Sequence, residues 1–338
     1  MKIPDAYKTG FVFVWLFLPA AAAQQTEQSP AAPSTIRVGS SLVLVDVISQ
    51  DPKSGLPIRD FKKEDFQVFD NGHEVAITSF DSGAGYDTRR VALWLVVLCN
   101  ERGKVAGSAQ FVGKEALFRP ALDHLDEQDM VGVAHWCDNG ETELDLRPTT
   151  DRDKAIDVLT ETIKPISFHI GRNSDAVGEE TFRKMVRLII QDAQRRNPQP
   201  LPALVFLDGD YTGQPKSELN HLIDDFLETS GIVFGIKDER SPTGGPLLVE
   251  QGQIMHYMAE QTGGQFFAAP PAGYSAALDM ILMQLHFRYE LGFVPPALDG
   301  KRHKLKVVLT KGAKEKPKGA RLRFRSEYIP GVVPDWAR

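Results

Sequence analysis

The fold of this chain is decided by the stretch VALWLVVLC, from Val91 to Cys99. Its nine residues carry no charge, follow Arg89 and Arg90, and precede the polar run Asn100-Glu101-Arg102-Gly103. A strand that is buried on both faces of a parallel sheet requires such a composition. We therefore predict a central parallel strand, and we expect a functional site at its carboxyl end, where open α/β sheets bind their ligands.

Strand and helix patterns alternate after this stretch. Further strands are predicted at residues 130–136, 143–146, 204–207, 232–236 and 265–267. Helical spacing of apolar residues predicts helices at 107–125, 153–163, 179–196, 217–229, 251–261 and 274–287. The turn Asp138-Asn139-Gly140 makes 130–136 and 143–146 a hairpin, and Thr150 is predicted to cap the helix that begins at Asp153. The alternation predicts a doubly wound, mostly parallel, Rossmann-like sheet of six strands flanked by helices.

Both ends of the chain favour β-structure. Strands are predicted at 42–48, 66–69 and 75–78, and again at 289–293, 305–309 and 321–324. Neither set is large enough to bury an apolar face by itself. We therefore predict one small β-sandwich built from residues 36–85 and 289–330, with the α/β domain at 88–288 inserted between them.

The first residues show the succession of charged, apolar and small residues that is typical of a secretory signal peptide. Lys2 and Lys8 precede an uncharged run from Phe11 to Ala23, which ends in an Ala-x-Ala sequence. This run is shorter than the roughly 20 apolar residues that cross a bilayer, although an uncleaved anchor is the alternative. We predict a signal peptide at 1–23, a flexible leader at 24–35, and a periplasmic or secreted mature protein without a membrane span.

Composition and motifs exclude several functions. The formal charge is −6, and basic residues are spread along the chain except between Lys311 and Arg325, so nucleic acid is not an expected partner. The sequence contains no Gly-x-Ser-x-Gly, no Gly-x-x-x-x-Gly-Lys-Ser/Thr, no His-Glu-x-x-His and no Cys-x-x-Cys. These are the usual anchors of hydrolase, nucleotide, zinc-protease and thioredoxin chemistry. We expect a protein that is not an enzyme.

The two cysteines end neighbouring predicted strands. Cys99 and Cys137 could form a disulfide in an oxidising compartment, and two free thiols are the alternative, because the Cα separation decides between them. His135 and Cys137 would share a strand face and could supply soft metal ligands. No third ligand is evident, so we expect His135 to be a hydrogen-bonded strand residue. Trp94 is expected in the core.

Several segments together resemble a known family. In their order and spacing they are similar to the von Willebrand factor A (VWA) superfamily, most closely to VWFA-related exported proteins of the acidobacterial type, from about Val38 to Tyr328. The segments are Leu42 to Val47, Leu56-Pro57-Ile58-Arg59-Asp60-Phe61, Glu64 to Gly72, Pro148 to Asp153, Leu207 to Asp210, Ala259 to Phe267 and Tyr289 to Pro295. The resemblance implies a VWA-like sheet and a site at its carboxyl edge.

The family's functional site is a metal-ion-dependent adhesion site. It combines a D-x-S-x-S motif after the first strand, a Thr on a later loop and an Asp after the fourth strand, and Mg²⁺ prefers such hard oxygen ligands. In this chain Cys99, Glu101 and Gly103 stand at the Asp and the two Ser positions. A thiol does not suit Mg²⁺ or Ca²⁺, so the first-strand part of the site is lost.

The remaining positions match the family only in part. Asp208 keeps the family's residue, while Gly171-Arg172-Asn173-Ser174-Asp175 occupies the loop of the Thr. We therefore expect no metal cofactor; a rearranged Mg²⁺ or Ca²⁺ site from Glu101, Asp208 and Asp210 is the alternative. The favoured function is an exported, adhesion-like module that binds a protein partner through the sheet's carboxyl-edge loops. A thiol-based redox or covalent function centred on Cys99 is the rival. The candidate partner-binding residues are Asn100, Glu101, Asn173, Ser174, Asp208 and Asp210.

Overall fold

The computed structural model describes residues 42–83, 90–99, 118–137, 142–163, 175–207, 223–227, 230–238, 254–313 and 319–331. The predicted signal peptide and leader lie outside these residues. Among the described helices, none is both long enough and apolar enough to cross a bilayer.

The described strands and helices follow the predicted alternation. The strands are β1 (Val43–Gln50), β2 (Phe66–Asp70), β3 (His73–Val75), β4 (Ile77–Asp81), β5 (Val91–Cys99), β6 (Met130–Cys137), β7 (Thr142–Thr149), β8 (Leu201–Leu207), β9 (Ile232–Asp238), β10 (Phe266–Ala269), β11 (Tyr289–Phe293), β12 (His303–Leu309), β13 (Arg321–Arg323) and β14 (Glu327–Tyr328). The helices are α1 (Arg119–Leu122), α2 (Arg152–Ile163), α3 (Asp175–Gln194), α4 (Asp224–Leu227), α5 (Ile254–Thr262) and α6 (Tyr274–His286). The predicted helices at 107–125 and 217–229 lie mostly outside the described residues.

Six strands form the predicted doubly wound sheet, in the order β10-β9-β8-β5-β6-β7. β5 lies between β6 and β8 and is parallel to both. β7 is antiparallel to β6, as the predicted hairpin requires. The fold prediction is therefore confirmed, because a charge-free strand has to lie where both of its neighbours and both layers of helices cover it.

Helices cover both faces of this sheet. α1, α2 and α6 pack on one face, and α3, α4 and α5 pack on the other. Trp94 of β5 is fully buried on the second face. A Cβ atom at Gly132 would lie 2.7 Å from the Trp94 ring, so the glycine of β6 makes room for the indole. The prediction that Trp94 belongs to the core is confirmed.

The two ends of the chain form the predicted sandwich. One sheet has the order β13-β1-β11-β4 and the other has the order β14-β12-β2-β3, so each combines strands from both ends. Val45 and Val47 of β1 belong to the sandwich core. Ile48 belongs instead to the core beneath the six-stranded sheet. Because alternate side chains of a strand point to opposite faces, β1 is shared by both cores.

The prediction of one continuous strand at 75–78 is wrong, because these residues belong to two different strands. The chain leaves one sheet at Val75 and enters the other at Ile77: β3 pairs with β2, and β4 pairs with β11. A sandwich corner of this kind lets one stretch of chain serve both sheets. Local alternation does not reveal it, because both halves retain a strand pattern.

The predicted helix cap at Thr150 is also wrong, by one residue. Asp151 Oδ1 accepts a hydrogen bond from the Lys154 N–H at 3.0 Å, and the Asp151 carbonyl accepts one from the Ala155 N–H at 3.2 Å. Asp is as good a capping residue as Thr. The carboxylate of Asp151 therefore satisfies the first turn of α2, which begins at Arg152.

Polar contacts join the sandwich to the α/β sheet. Arg288 Nε donates to Asp46 Oδ1 at 2.7 Å, and both side chains are about 5% exposed. Gln50 of β1 donates to Gln265 at 3.3 Å, and Arg323 donates both to Gln50 at 3.1 Å and to the Gly264 carbonyl at 3.2 Å. Because these groups are largely buried and hydrogen-bonded, they fix how β1 and β13 lie against the inserted domain.

Candidate functional site

The strand order places the candidate site between β5 and β8. The chain runs from β5 outward to β6 and β7, and then returns to the other side of β5 to form β8, β9 and β10. Val97 of β5 is in register with Leu207 of β8. The carboxyl ends of the two strands therefore lie side by side at the point where the strand order reverses. This is where open α/β sheets form their binding crevice.

The predicted loop residues follow these two strands in sequence. Cys99 is the last residue of β5, and Asn100 comes directly after it; Leu207 is the last residue of β8, and Asp208 comes directly after it. The candidates Asn100, Glu101, Asn173, Ser174, Asp208 and Asp210 themselves lie outside the described residues. The fold thus fixes where two of the three candidate loops begin, and the choice of partner-binding residues stays a prediction.

The two cysteines are in direct register. Cys99 of β5 pairs with Cys137 of β6 at the carboxyl ends of two parallel strands. Neighbouring strands lie about 4.8 Å apart, and disulfides join Cα atoms that are roughly 4.4–6.8 Å apart. The backbone separation that the sequence left open is therefore compatible with a disulfide, and the state of the two thiols stays a prediction.

His135 is tied to the neighbouring edge strand. Its Nδ1 atom lies 2.9 Å from Asp145 Oδ1 and 3.0 Å from Asp145 Oδ2, and the residue is buried. Its main-chain carbonyl accepts a hydrogen bond from Thr142 Oγ1 at 3.0 Å. The interpretation of His135 as a hydrogen-bonded strand histidine is confirmed. These contacts hold the β6–β7 hairpin together beside the candidate site.

The same hairpin is attached to α3. Trp136 Nε1 donates to Thr181 Oγ1 at 3.2 Å, and the Trp136 ring meets Phe182 edge to face, with ring centroids 5.4 Å apart. An aromatic side chain with a polar N–H can in this way pack and hydrogen-bond at once. The carboxyl end of β6 is therefore braced on both sides, by Asp145 and by α3.

The donor set does not fit a divalent cation of the adhesion-site type. The first position of that site belongs to the end of β5, where this chain has Cys99. Mg²⁺ and Ca²⁺ take oxygen ligands, whereas a thiolate selects softer metals. Gly103 adds no side-chain oxygen. Cys99 and Gly103 therefore do not supply the hard oxygen ligands of an adhesion-type site.

A second group of ionisable side chains lies at the opposite, amino edge of the sheet. Ligand atoms of Asp126, Asp129 and His286 lie within 4.8 Å of one another. Asp129 Oδ1 accepts the Val91 N–H at 2.8 Å, and Asp129 Oδ2 lies 2.6 Å from His286 Nε2. The guanidinium of Arg152 donates to the carbonyls of Asp126 and Asp129. Both carboxylate oxygens of Asp129 already accept hydrogen bonds, and the Arg152 guanidinium binds the neighbouring main chain. We therefore interpret Asp126, Asp129 and His286 as a structural group, which we call the clasp.

Sequence reasoning missed this clasp for a simple reason. Asp129 and His286 are separated by 157 residues, and each falls at the end of an element with no motif around it. The only local signal was the acidic run before β6, which is common on protein surfaces.

The known proteins that the chain matches are solved structures of low sequence identity. No protein-family model matches the chain, and no curated protein matches it. Among solved structures, the hypothetical protein BatB from Bacteroides thetaiotaomicron is 15% identical with a TM-score of 0.38, over 57% of this chain and 97% of that one. The SpRpn10 VWA domain is 12% identical with a TM-score of 0.36, over 57% and 93%.

A further match covers more of the chain. A von Willebrand factor type A structure from Catenulispora acidiphila is 9% identical with a TM-score of 0.36, over 81% of this chain and 75% of that one. The fold is VWA-like: its strand order and its one antiparallel edge strand are those of the predicted sheet. This assignment rests on the topology, and it concerns the fold alone.

Proposed function

We propose that this protein is an exported, non-enzymatic interaction module that binds a protein partner through the loops at the carboxyl edge of its VWA-like sheet. The observation that carries the proposal is the position of β5 and β8, whose carboxyl ends lie side by side where the strand order reverses. The segments that begin at Asn100 and at Asp208, which the sequence predicts to be loops, follow these strand ends. Loops on a rigid sheet are where binding residues concentrate.

The proposal includes binding without the usual metal. Of the side chains that would form the adhesion site, Asp208 keeps a hard oxygen, while Cys99 and Gly103 do not offer one. One carboxylate with water is a poor match for a cation that dehydrates reluctantly. Glu101, Asp208 and Asp210 are then partner-contacting acids, and a rearranged site made of these three residues is the alternative that a titration separates.

Partner capture should therefore be independent of Mg²⁺ and Ca²⁺. We expect the immobilised mature protein to retain the same partner from its native envelope extract in chelator, and the variant Glu101→Ala/Asp208→Ala/Asp210→Ala to lose it. The matched control removes three exposed acids elsewhere, Glu64→Ala/Asp157→Ala/Glu161→Ala, and should capture the partner normally.

Calorimetric titration of Mg²⁺ into the wild-type protein is expected to show no binding in the micromolar range. Micromolar binding that Asp208→Ala abolishes, together with capture that chelator prevents, would restore the metal-dependent mechanism.

The rival function depends on a reactive Cys99. The direct register of Cys99 with Cys137 favours a disulfide over a reactive thiol in an exported protein. A low-pKa, accessible thiol would instead be expected of a redox or covalent centre.

One mass measurement checks both export and the state of the cysteines. We expect protein recovered from the exported fraction to lack residues 1–23 and, after denaturation, to react with a thiol-alkylating reagent only when it is first reduced. The physical reasons are the signal-peptide order of the N-terminus and the register of the two strand ends. A mass that retains Met1 would contradict export by cleavage. Alkylation of Cys99 without reduction would exclude the disulfide and leave the thiol-based function open.

A further inference from the structure

A strongly basic surface surrounds α3, on the face of the sheet away from α1, α2 and α6. Between residues 181 and 196 the sequence holds five basic residues and a single acidic one, in a chain whose net charge is −6. A sixth basic side chain, that of Arg147, reaches the same surface from β7. We call this surface the basic face; its residues are Arg147, Arg183, Lys184, Arg187, Arg195 and Arg196.

One flank of the basic face is held by a buried aspartate. Asp192 of α3 accepts from Arg147 Nη1 at 2.9 Å through Oδ1, and from Arg196 Nε at 2.7 Å through Oδ2. The Asp192 side chain is 7% exposed, whereas those of Arg147 and Arg196 are 62% and 29% exposed. One buried carboxylate therefore fixes two guanidinium groups that both reach solvent.

The opposite flank repeats the arrangement. Asp225 of α4 accepts from Arg187 Nε at 3.3 Å, and its other oxygen lies 3.9 Å from Arg183 Nε. The Asp225 side chain is 6% exposed, against 42% for Arg187 and 32% for Arg183. Burial raises the pKa of Asp225, and the two nearby guanidinium charges oppose that rise. Lys184 of α3 and Arg195, which comes directly after α3, are exposed.

The charges of this face do not cancel. Among the described residues, six basic groups meet two buried aspartates; the exposed Glu180 lies one turn earlier, and Asp224, beside Asp225, pairs with Arg302. A guanidinium carries five N–H donors, and Arg147, Arg187 and Arg196 each donate one of them to a buried aspartate. Arg196 also donates through Nη1 to Met130 Sδ at 3.2 Å, and the part-exposed guanidinium groups of Arg147 and Arg187 are oriented by the carboxylates that hold them. A preorganised group of this kind loses little side-chain entropy when it binds.

We propose that the basic face binds an acidic, Asp- and Glu-rich segment of a partner protein. Five of its six cations are arginines, whose planar forks match carboxylates bidentately. A membrane surface fits less well, because the large apolar residues exposed in the described part of the chain are Leu56, Val294 and Leu298, and none lies on this face. Binding here does not require the carboxyl-edge loops, so it adds a second contact surface to the proposed function.

The test uses the mature protein and a fluorescent twelve-residue peptide of alternating Glu and Ser, with a Gln-Ser peptide as the uncharged match. At low salt we expect anisotropy to report binding of the Glu peptide only. The variant Lys184→Gln/Arg195→Gln keeps both aspartate clusters and should bind about 10-fold more weakly. The control Lys304→Gln/Lys306→Gln removes the same charge from exposed positions of β12 and should change affinity less than about 2-fold.

Two outcomes would overturn the proposal. In one, the control variant weakens binding as much as the α3 variant, or the wild-type protein does not bind the Glu peptide. In the other, the wild-type protein binds phosphatidylglycerol vesicles and not the peptide, which would assign the face to a lipid surface. The carboxyl-edge variant Glu101→Ala/Asp208→Ala/Asp210→Ala should bind the peptide normally, so the two surfaces succeed or fail separately.

Discussion

Arg288→Met is expected to lower the free energy of unfolding by about 3–5 kcal/mol. Arg288 Nε donates to Asp46 Oδ1 at 2.7 Å, and both side chains are almost fully buried. Arg288 also donates to the Leu285 carbonyl at the end of α6. A methionine would fill most of the volume but leave the Asp46 carboxylate buried beside an apolar chain. Chemical denaturation at neutral pH, followed by tryptophan fluorescence, measures the loss.

Two further variants test whether the loss of stability comes from breaking the Asp46–Arg288 ion pair or from a general effect of the substitution. Asp46→Leu/Arg288→Met removes both charges, and we expect it to recover most of the stability, because an apolar pair of similar volume replaces the ion pair. Lys306→Met likewise replaces a long basic side chain with methionine, on the exposed side of β12, and should have little effect. If Arg288→Met unfolded at the wild-type denaturant concentration, this pair would not be what joins the sandwich to the α/β sheet.

Gly264→Ala is expected to destabilise the fold by about 3 kcal/mol, at the upper end of the usual cost of overpacking. A Cβ atom at this position would lie 1.9 Å from the Val233 carbonyl oxygen. That oxygen belongs to the main chain of β9, so relief requires the chain after α5 to move away from the sheet. The Gly264 N–H also bonds the Ala259 carbonyl at 2.8 Å, and the same movement would strain this contact. Thermal and denaturant unfolding both report the change.

A matched glycine provides the control. Nothing lies within 4 Å of a Cβ atom built at Gly312, in the turn after β12. Gly312→Ala should therefore be neutral or slightly stabilising, because alanine restricts the unfolded chain. Equal losses for the two substitutions would mean that the space around Gly264 is not what forbids a side chain.

Much of the fold followed from the sequence. The nine charge-free residues of β5 could be buried only between two strands and two layers of helices, and that position is observed. The hairpin of β6 and β7 followed from Asp138-Asn139-Gly140 between two strand patterns. The sandwich followed from an incomplete core at each end of the chain. These predictions succeeded because each depends on local composition or on the need to cover apolar surface.

The candidate site could be predicted from the sequence only in part. Family resemblance and strand ends predicted a site at Cys99 and Asp208; the register of β5 with β6 and β8 shows that these strand ends are neighbours, and the site itself stays a prediction. The clasp of Asp129 and His286 and the basic face were not predicted. Asp192 and Arg147 are 45 residues apart, and Asp225 and Arg187 are 38 apart, so no motif marks either pair.

The sequence by itself determined which segments are buried, which alternate, and therefore that a six-stranded sheet is inserted in a sandwich, because hydrophobic periodicity is a property of neighbouring residues. Only the tertiary structure decided that the chain changes sheets at Ala76, that Asp46 meets Arg288 across 242 residues, and that two buried aspartates hold four arginines around α3. Those contacts join distant parts of the chain. Their geometry exists only once the apolar segments have packed and brought the charged groups together.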